Sequence, residues 1–175
     1  ANQAVFLALL NPGDRIMAVA SAGNLAISQS VLSTLTEGIE DPTTGEVETL
    51  MNAPTMFQAA QRIGRAIRLV HATEGPALRS EDVSFDVSFL FGGQIKGERL
   101  RLYMIYTAGN FIECTVDTPY LQIGEHKYGK PILDRSVKVE TNISDALKLG
   151  LISMDSTMRS NLAVGLPIDL AVIRR

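Results

Sequence analysis

From Val83 onward the chain sets its apolar residues at every second position: Phe85, Val87, Phe89 and Phe91 alternate with Ser84, Asp86 and Ser88. Side chains of an extended strand point to opposite faces in turn, so this spacing predicts a strand with one buried face. After a turn over Gly92 to Gly97, Leu100, Leu102, Met104 and Tyr106 continue the period of two. Thr107 to Asn110 turn the chain again, into Phe111 to Val116. The pattern predicts an antiparallel meander whose buried face requires a second layer over it. Gly92, Gly93 and Gly97 echo a phosphate loop only weakly, because no Lys-Ser or Lys-Thr follows, and they are read as hairpin geometry.

Two further strands are predicted at the start, Val5 to Leu10 and Arg15 to Ala20, joined by a turn at Asn11-Pro-Gly-Asp14. The first resembles a leader's apolar core but has no basic flank, and it is too short to span a bilayer, so it is read as a strand. From Leu25 to Ile39 the spacing becomes helical, which puts Gly23 at a strand-to-helix junction, where a residue without Cβ lets another group approach closely. A second helix begins at Thr55-Met-Phe-Gln58, a capping box, and buries Met56, Ala59, Ala60, Ile63, Ile67 and Val70. Its opposite face carries Arg62, Arg65 and Arg68, read as a solvated or subunit-contact face, and it ends near His71, whose ring can meet the helix dipole. A third helix, capped by Ser144, ends near Met158, and a last strand runs from Leu166 to Ile173. Helices grouped at two places around antiparallel strands predict stacked layers and not a doubly wound parallel sheet.

Composition narrows the function. The 175 residues are 46% hydrophobic and 20% charged, which suits one well-packed domain over 1–175 without disordered tracts. A net charge of −3 carries no electrostatic footprint for nucleic acid or an anionic membrane, so neither is expected as a partner. The single cysteine, Cys114, excludes an internal disulfide and fits a reducing, cytoplasmic setting; no metal site and no cofactor are expected. His126 beside Glu125 does not make an acid–base pair, since adjacent side chains diverge, and both are read as surface or interface polarity. Hydroxyls and a carboxylate concentrate instead between Ser153 and Gly165, in a turn between apolar elements, where sites tend to lie.

Five ordered stretches then carry a family resemblance: Ser21 to Ala26, Phe91 to Glu98, Tyr106 to Glu113, Ile123 to Arg135 and Asp155 to Leu170. Together the chain resembles the proteasome β-type fold of the N-terminal-nucleophile hydrolases, and within it the bacterial Anbu, or ancestral β-subunit, family. The resemblance implies an α+β, four-layer αββα sandwich with antiparallel sheets. It implies hydrolysis of peptide or unfolded-protein substrates by a threonine peptidase that assembles with copies of itself into a ring or open spiral. In that chemistry an N-terminal threonine supplies both hydroxyl and amine, and a backbone N–H stabilises the oxyanion. The oxyanion position maps to Gly23, with Ser21 and Leu25 bordering the substrate groove. Ser160 matches the supporting serine, and Asp155 is the nearest acid, Thr157 occupying the position three before Ser160. Because the chain opens on Ala1 and has no lysine before Lys96, the resemblance implies a domain incomplete at its N-terminus, with the nucleophile on a preceding segment. A non-catalytic assembly subunit and an amide hydrolase acting on a small substrate are the alternatives.

Overall fold

The computed structural model describes residues 5–174, so the reading of Ala1 falls outside it. Phe6–Asn11 (β1) and Arg15–Gly23 (β2) form the expected hairpin, in register from Phe6↔Ala20 to Asn11↔Arg15. Leu25–Glu37 (α1), a short ladder of Ile39–Glu40 (β3) with Val47–Glu48 (β4), and Met56–Ser80 (α2) follow. The meander is Val87–Ile95 (β5), Arg101–Ile105 (β6) and Phe111–Glu113 (β7); Lys130–Ser136 (α3) and Ile143–Ser160 (α4) come last. The main sheet is antiparallel throughout, in the order β1-β2-β5-β6-β7. The architecture is thus the expected α+β one, with antiparallel sheets and four helices. Of the αββα layers, the described residues build the α1/α2 layer, one five-stranded sheet and the α3/α4 pair.

Register decides which side chains meet the helices. Val19 pairs with Phe91 and Ser21 with Phe89, while Phe91 pairs with Tyr103 and Phe89 with Ile105. Odd-numbered side chains therefore share one face, and Met17, Val19, Val87, Phe89, Phe91, Tyr103 and Ile105 are fully buried on it. Above them lie Met56, Ala59, Ala60, Ile63 and Ile67 of α2 and Ile27, Val31 and Leu35 of α1. Each large side chain so placed contributes about 1.5–3 kcal/mol through area removed from water. The approach of α2 to the sheet is set by backbone: a Cβ at Gly64 would collide with the Gly109 carbonyl oxygen, and one at Gly109 with that of Gly64.

Several expectations are corrected. In β6 the buried residues are Tyr103 and Ile105, while Leu102 and Met104 turn to the half-exposed opposite face; both faces of this strand are apolar, so alternation alone misjudged its side. Gly92 and Gly93 lie within β5, paired with Ala18 and Met17, and not in the turn. Helix α2 runs past His71 to Ser80 and through Pro76, because Leu78 packs on the core and His71 stacks edge-on against Phe85 with ring centroids 4.7 Å apart. Asn142, not Ser144, caps α4, its side chain accepting from Asp145 N at 3.0 Å. Residues 161–174 form no strand; their backbone finds no neighbouring ladder among the described residues, and Leu162, Leu166 and Leu170 are exposed.

The arginines of α2 clamp this chain and are not a free solvated face. Arg62 donates to Thr49 O (2.6 Å), Asn52 Oδ1 (2.6 Å) and Glu48 Oε1 (3.2 Å), and Arg65 to Glu48 Oε2 (2.5 Å) and Glu40 O (2.7 Å). Arg68 donates to Gly109 O at 3.2 Å, beside the Gly64 contact. At the start of α2, Thr55 Oγ1 accepts from Gln58 N (3.1 Å) and Glu98 Oε2 from Met56 N (2.8 Å), which places a carboxylate on the positive end of the helix. Arg101 grips Glu113 with two bonds of 2.8 and 2.7 Å, and this pairing holds the Glu113 carboxyl below the usual glutamate range despite partial burial. Burial pushes the Tyr103 phenol up to about 12.

Phe89→Ala should cost about 3–5 kcal/mol through lost transfer and the cavity left behind, read as a lowered urea midpoint at unchanged slope. For Glu113 the folded state favours the ionised form, so its contribution is present above the ordinary glutamate pKa and fades as pH falls through the folded value. Acid titration of stability should therefore be shallower in Glu113→Gln than in the parent; parallel curves would remove the Arg101 pair from the account.

Candidate functional site

The junction between β2 and α1 is built around Gly23 and Asn24. Gly23 ends β2 with φ +109°, a conformation that side chains rarely adopt, and a Cβ there would strike the Asp86 carbonyl oxygen. Asn24 follows as the cap of α1: its N–H donates to Asp86 O at 2.8 Å, and its Oδ1 accepts from Ala26 N and Ile27 N at 3.0 and 3.4 Å. Ser28 closes on Asn24 O with both its backbone N–H and its hydroxyl, each at 3.0 Å. Ser21 N donates toward β1, to Val5 O at 2.9 Å, whereas Asn24 N donates toward β5. By the alternation of an antiparallel ladder, the Gly23 N–H points to the β1 side, past Val5.

The two residues expected to border a groove differ in placement. Leu25 is the first residue of α1 and half-buried. Ser21 is 2% exposed on the core face, and its hydroxyl accepts from Val5 N at 3.3 Å, so its side chain holds the start of β1. Its odd-numbered register position, shared with Val19, turns it inward.

The other half lies at the end of α4. Ser160 is the last residue of that helix and is exposed. Asp155 is also exposed and pairs along the helix surface with Arg159 at 2.8 Å, which leaves its carboxylate turned to solvent. Thr157 is buried, donating its hydroxyl to Ser153 O at 2.9 Å; this pair packs against Gly129, where a Cβ would meet the Ser153 hydroxyl.

Gly23 and Ser160 are linked by a loop that the sequence reading treated as surface. Gly124, at φ +77°, lies against Ala22, so that a Cβ on it would come within 3.4 Å of the Ala22 Cβ. Glu125, the next residue, accepts from Asn161 Nδ2 at 2.8 Å through Oε2 and from Lys127 N at 2.8 Å through Oε1. The Lys127 amide and then the Asn161 side chain hold the Glu125 carboxyl below the usual glutamate range. Asn161 in turn donates its backbone N–H to Thr157 O (2.8 Å) and accepts from Ala163 N (2.9 Å). One loop thus touches the residue before Gly23 and the residue after Ser160. The bond of Asn161 to a carboxylate 36 positions away has no sequence signal.

An antiparallel sheet under two helices, with one loop touching both the end of β2 and the turn after α4, is an α+β arrangement of the proteasome-like class. Comparison with solved structures agrees. The chain is 48% identical to Anbu (ancestral beta-subunit) from Yersinia bercovieri over 93% of its own length and 65% of that chain, with a TM-score of 0.81. Against the structure of the helical assembly of the Anbu complex from Pseudomonas aeruginosa the values are 42%, 93%, 65% and 0.84. Against Anbu from Hyphomicrobium sp. strain MC1 they are 45%, 87%, 70% and 0.72. The chain belongs to the Anbu family of proteasome-like proteins. It spans slightly less than two-thirds of the length of the Yersinia and Pseudomonas proteins. No protein-family model matches the sequence, and no curated protein does. Among the described residues no helix is long and apolar enough to cross a membrane.

Gly23→Ala should destabilise the protein by about 1–3 kcal/mol, since the added methyl meets carbonyl and the backbone is in a strained region for alanine. Chemical denaturation checks this; an alanine variant as stable as the parent would contradict the junction geometry.

Proposed function

We propose that the chain is the larger part of a threonine-type peptidase subunit that hydrolyses peptide bonds within a homo-oligomer in the cytoplasm. Residues 1–175 belong on this reading to one proteasome β-like domain. The observation that carries it is the loop linkage, Ala22 against Gly124 and Glu125 to Asn161, which joins the Gly23 end of β2 to the Ser160 end of α4. Family membership supplies the reaction class. The Gly23 N–H is the oxyanion donor: it lies on a backbone fixed on both sides, so it needs no reorganisation as charge develops on the carbonyl oxygen. The Ser160 hydroxyl supports the amine of the nucleophile, and Leu25 borders the pocket for the substrate side chain. Ser21 acts there through its backbone position alone. Asp155, turned outward to Arg159, suits a helix-surface pair better than a catalytic role.

A second reading, a non-catalytic assembly subunit, is favoured by exposed apolar surface: Leu151 and Ile152 on α4, and Leu162, Leu166 and Leu170 beyond it. Such surface suits contact with further copies. The helical assembly described for the Pseudomonas aeruginosa protein supports oligomerisation under either reading.

In the full-length gene product, a threonine-directed electrophile should label the protein covalently at one residue. Ser160→Ala should lower peptide turnover about tenfold or more while light scattering still shows large particles. Large particles without labelling would favour the assembly subunit, and unchanged turnover in Ser160→Ala would remove that residue from the site.

A further inference from the structure

We propose that Glu125 is the carboxylate that positions the supporting half of the site, acting through Asn161; this rests on the peptidase reading above. Three acids are candidates for that task. Asp155 is engaged with Arg159 on the outside of α4, and Asp169 is exposed in the segment after α4. Glu125 alone among them bonds to the turn that follows Ser160, and it does so from a loop seated against Ala22, the neighbour of Gly23.

The geometry fixes how such a residue works. Both carboxylate oxygens are engaged, one by the Lys127 amide and one by the Asn161 side chain, so the carboxylate is held and not free to swing. Asn161 is tied at four points: Nδ2 donates to Glu125, N–H donates to Thr157 O, Oδ1 accepts from Ala163 N and its carbonyl accepts from Val164 N. The backbone leaving Ser160 has little freedom while the Glu125 bond persists. From the other side, Gln122 Nε2 donates to Glu125 O at 3.2 Å. Glu125 is therefore a positioning residue, and the charge it holds persists to lower pH than an ordinary glutamate's, because its two partners favour the ionised form.

The test uses the full-length protein and reverses donor and acceptor. Glu125→Gln and Asn161→Asp should each lower kcat for peptide hydrolysis about tenfold or more with KM little changed, since orientation and not substrate contact is lost. The double variant, Glu125→Gln with Asn161→Asp, restores an amide-to-carboxylate bond and should recover most of the loss. Asn161→Asp alone faces two carboxylates, so its kcat should rise as pH falls and one of them takes up a proton, a trend the parent does not share. Light scattering follows assembly in every variant. Single variants with parental kcat would overturn the proposal, as would a double variant that assembles but is no faster than the poorer single. A parent that neither hydrolyses peptide nor reacts with a threonine-directed electrophile would overturn the peptidase reading and this proposal together. An active parent with an indifferent Glu125→Gln would overturn this proposal alone.

Discussion

The burial of the odd-numbered side chains of β2, β5 and β6 beneath α2 is the contact on which the remainder of the structure depends. Met17, Val19, Phe89, Phe91, Tyr103 and Ile105 lose all exposure there. A slip of one residue in any of these pairings would turn its whole set of core side chains to the opposite face. The helix can lie so near because Gly64 and Gly109 bring two backbones together with no side chain between them. Arg68 reaches the same Gly109 carbonyl, so a charged side chain seals the contact that the glycines open.

The geometry of the candidate site follows from that packing. Because β2 and β5 are locked in register, with Gly23 opposite Val87, the Asp86 carbonyl takes the Asn24 N–H, which starts α1 at a defined residue. Gly23 is thus fixed by the same ladder that holds the core, and such rigidity suits the oxyanion role proposed for its N–H. The loop around Gly124 and Glu125 completes the arrangement on the opposite face of the sheet, where Ala22 points, and ties in the end of α4 through Asn161.

Charges serve mainly to pin elements together. Glu48 joins Arg62 and Arg65 and so anchors the β3–β4 ladder to α2. Glu98 sits on the first turn of α2, while Arg101, 3.7 Å from Glu98, also holds Glu113 of β7. These pairs are partly shielded from solvent and combine with bonds to backbone carbonyls, which gives them more weight than isolated surface pairs.

What was legible in the sequence was what local spacing encodes. The β1–β2 hairpin, both long helices, the inner face of α2 and the threonine cap at Thr55 follow from periodicity and capping chemistry, and Gly23 stood out because a glycine ended a strand before a helix. Where both sides of an element are apolar, as in β6, spacing does not say which side faces the helices; only the pairing of Tyr103 with Phe91 does. Helix α2 outruns its Gly75-Pro76 break because Leu78 and His71 find partners that lie elsewhere in the chain. The inward turn of Ser21 and the bond from Asn161 to Glu125 are likewise settled by tertiary packing. Short-range order is written in neighbours three or four positions apart, whereas a site is assembled from residues whose separation in sequence carries no periodic signal.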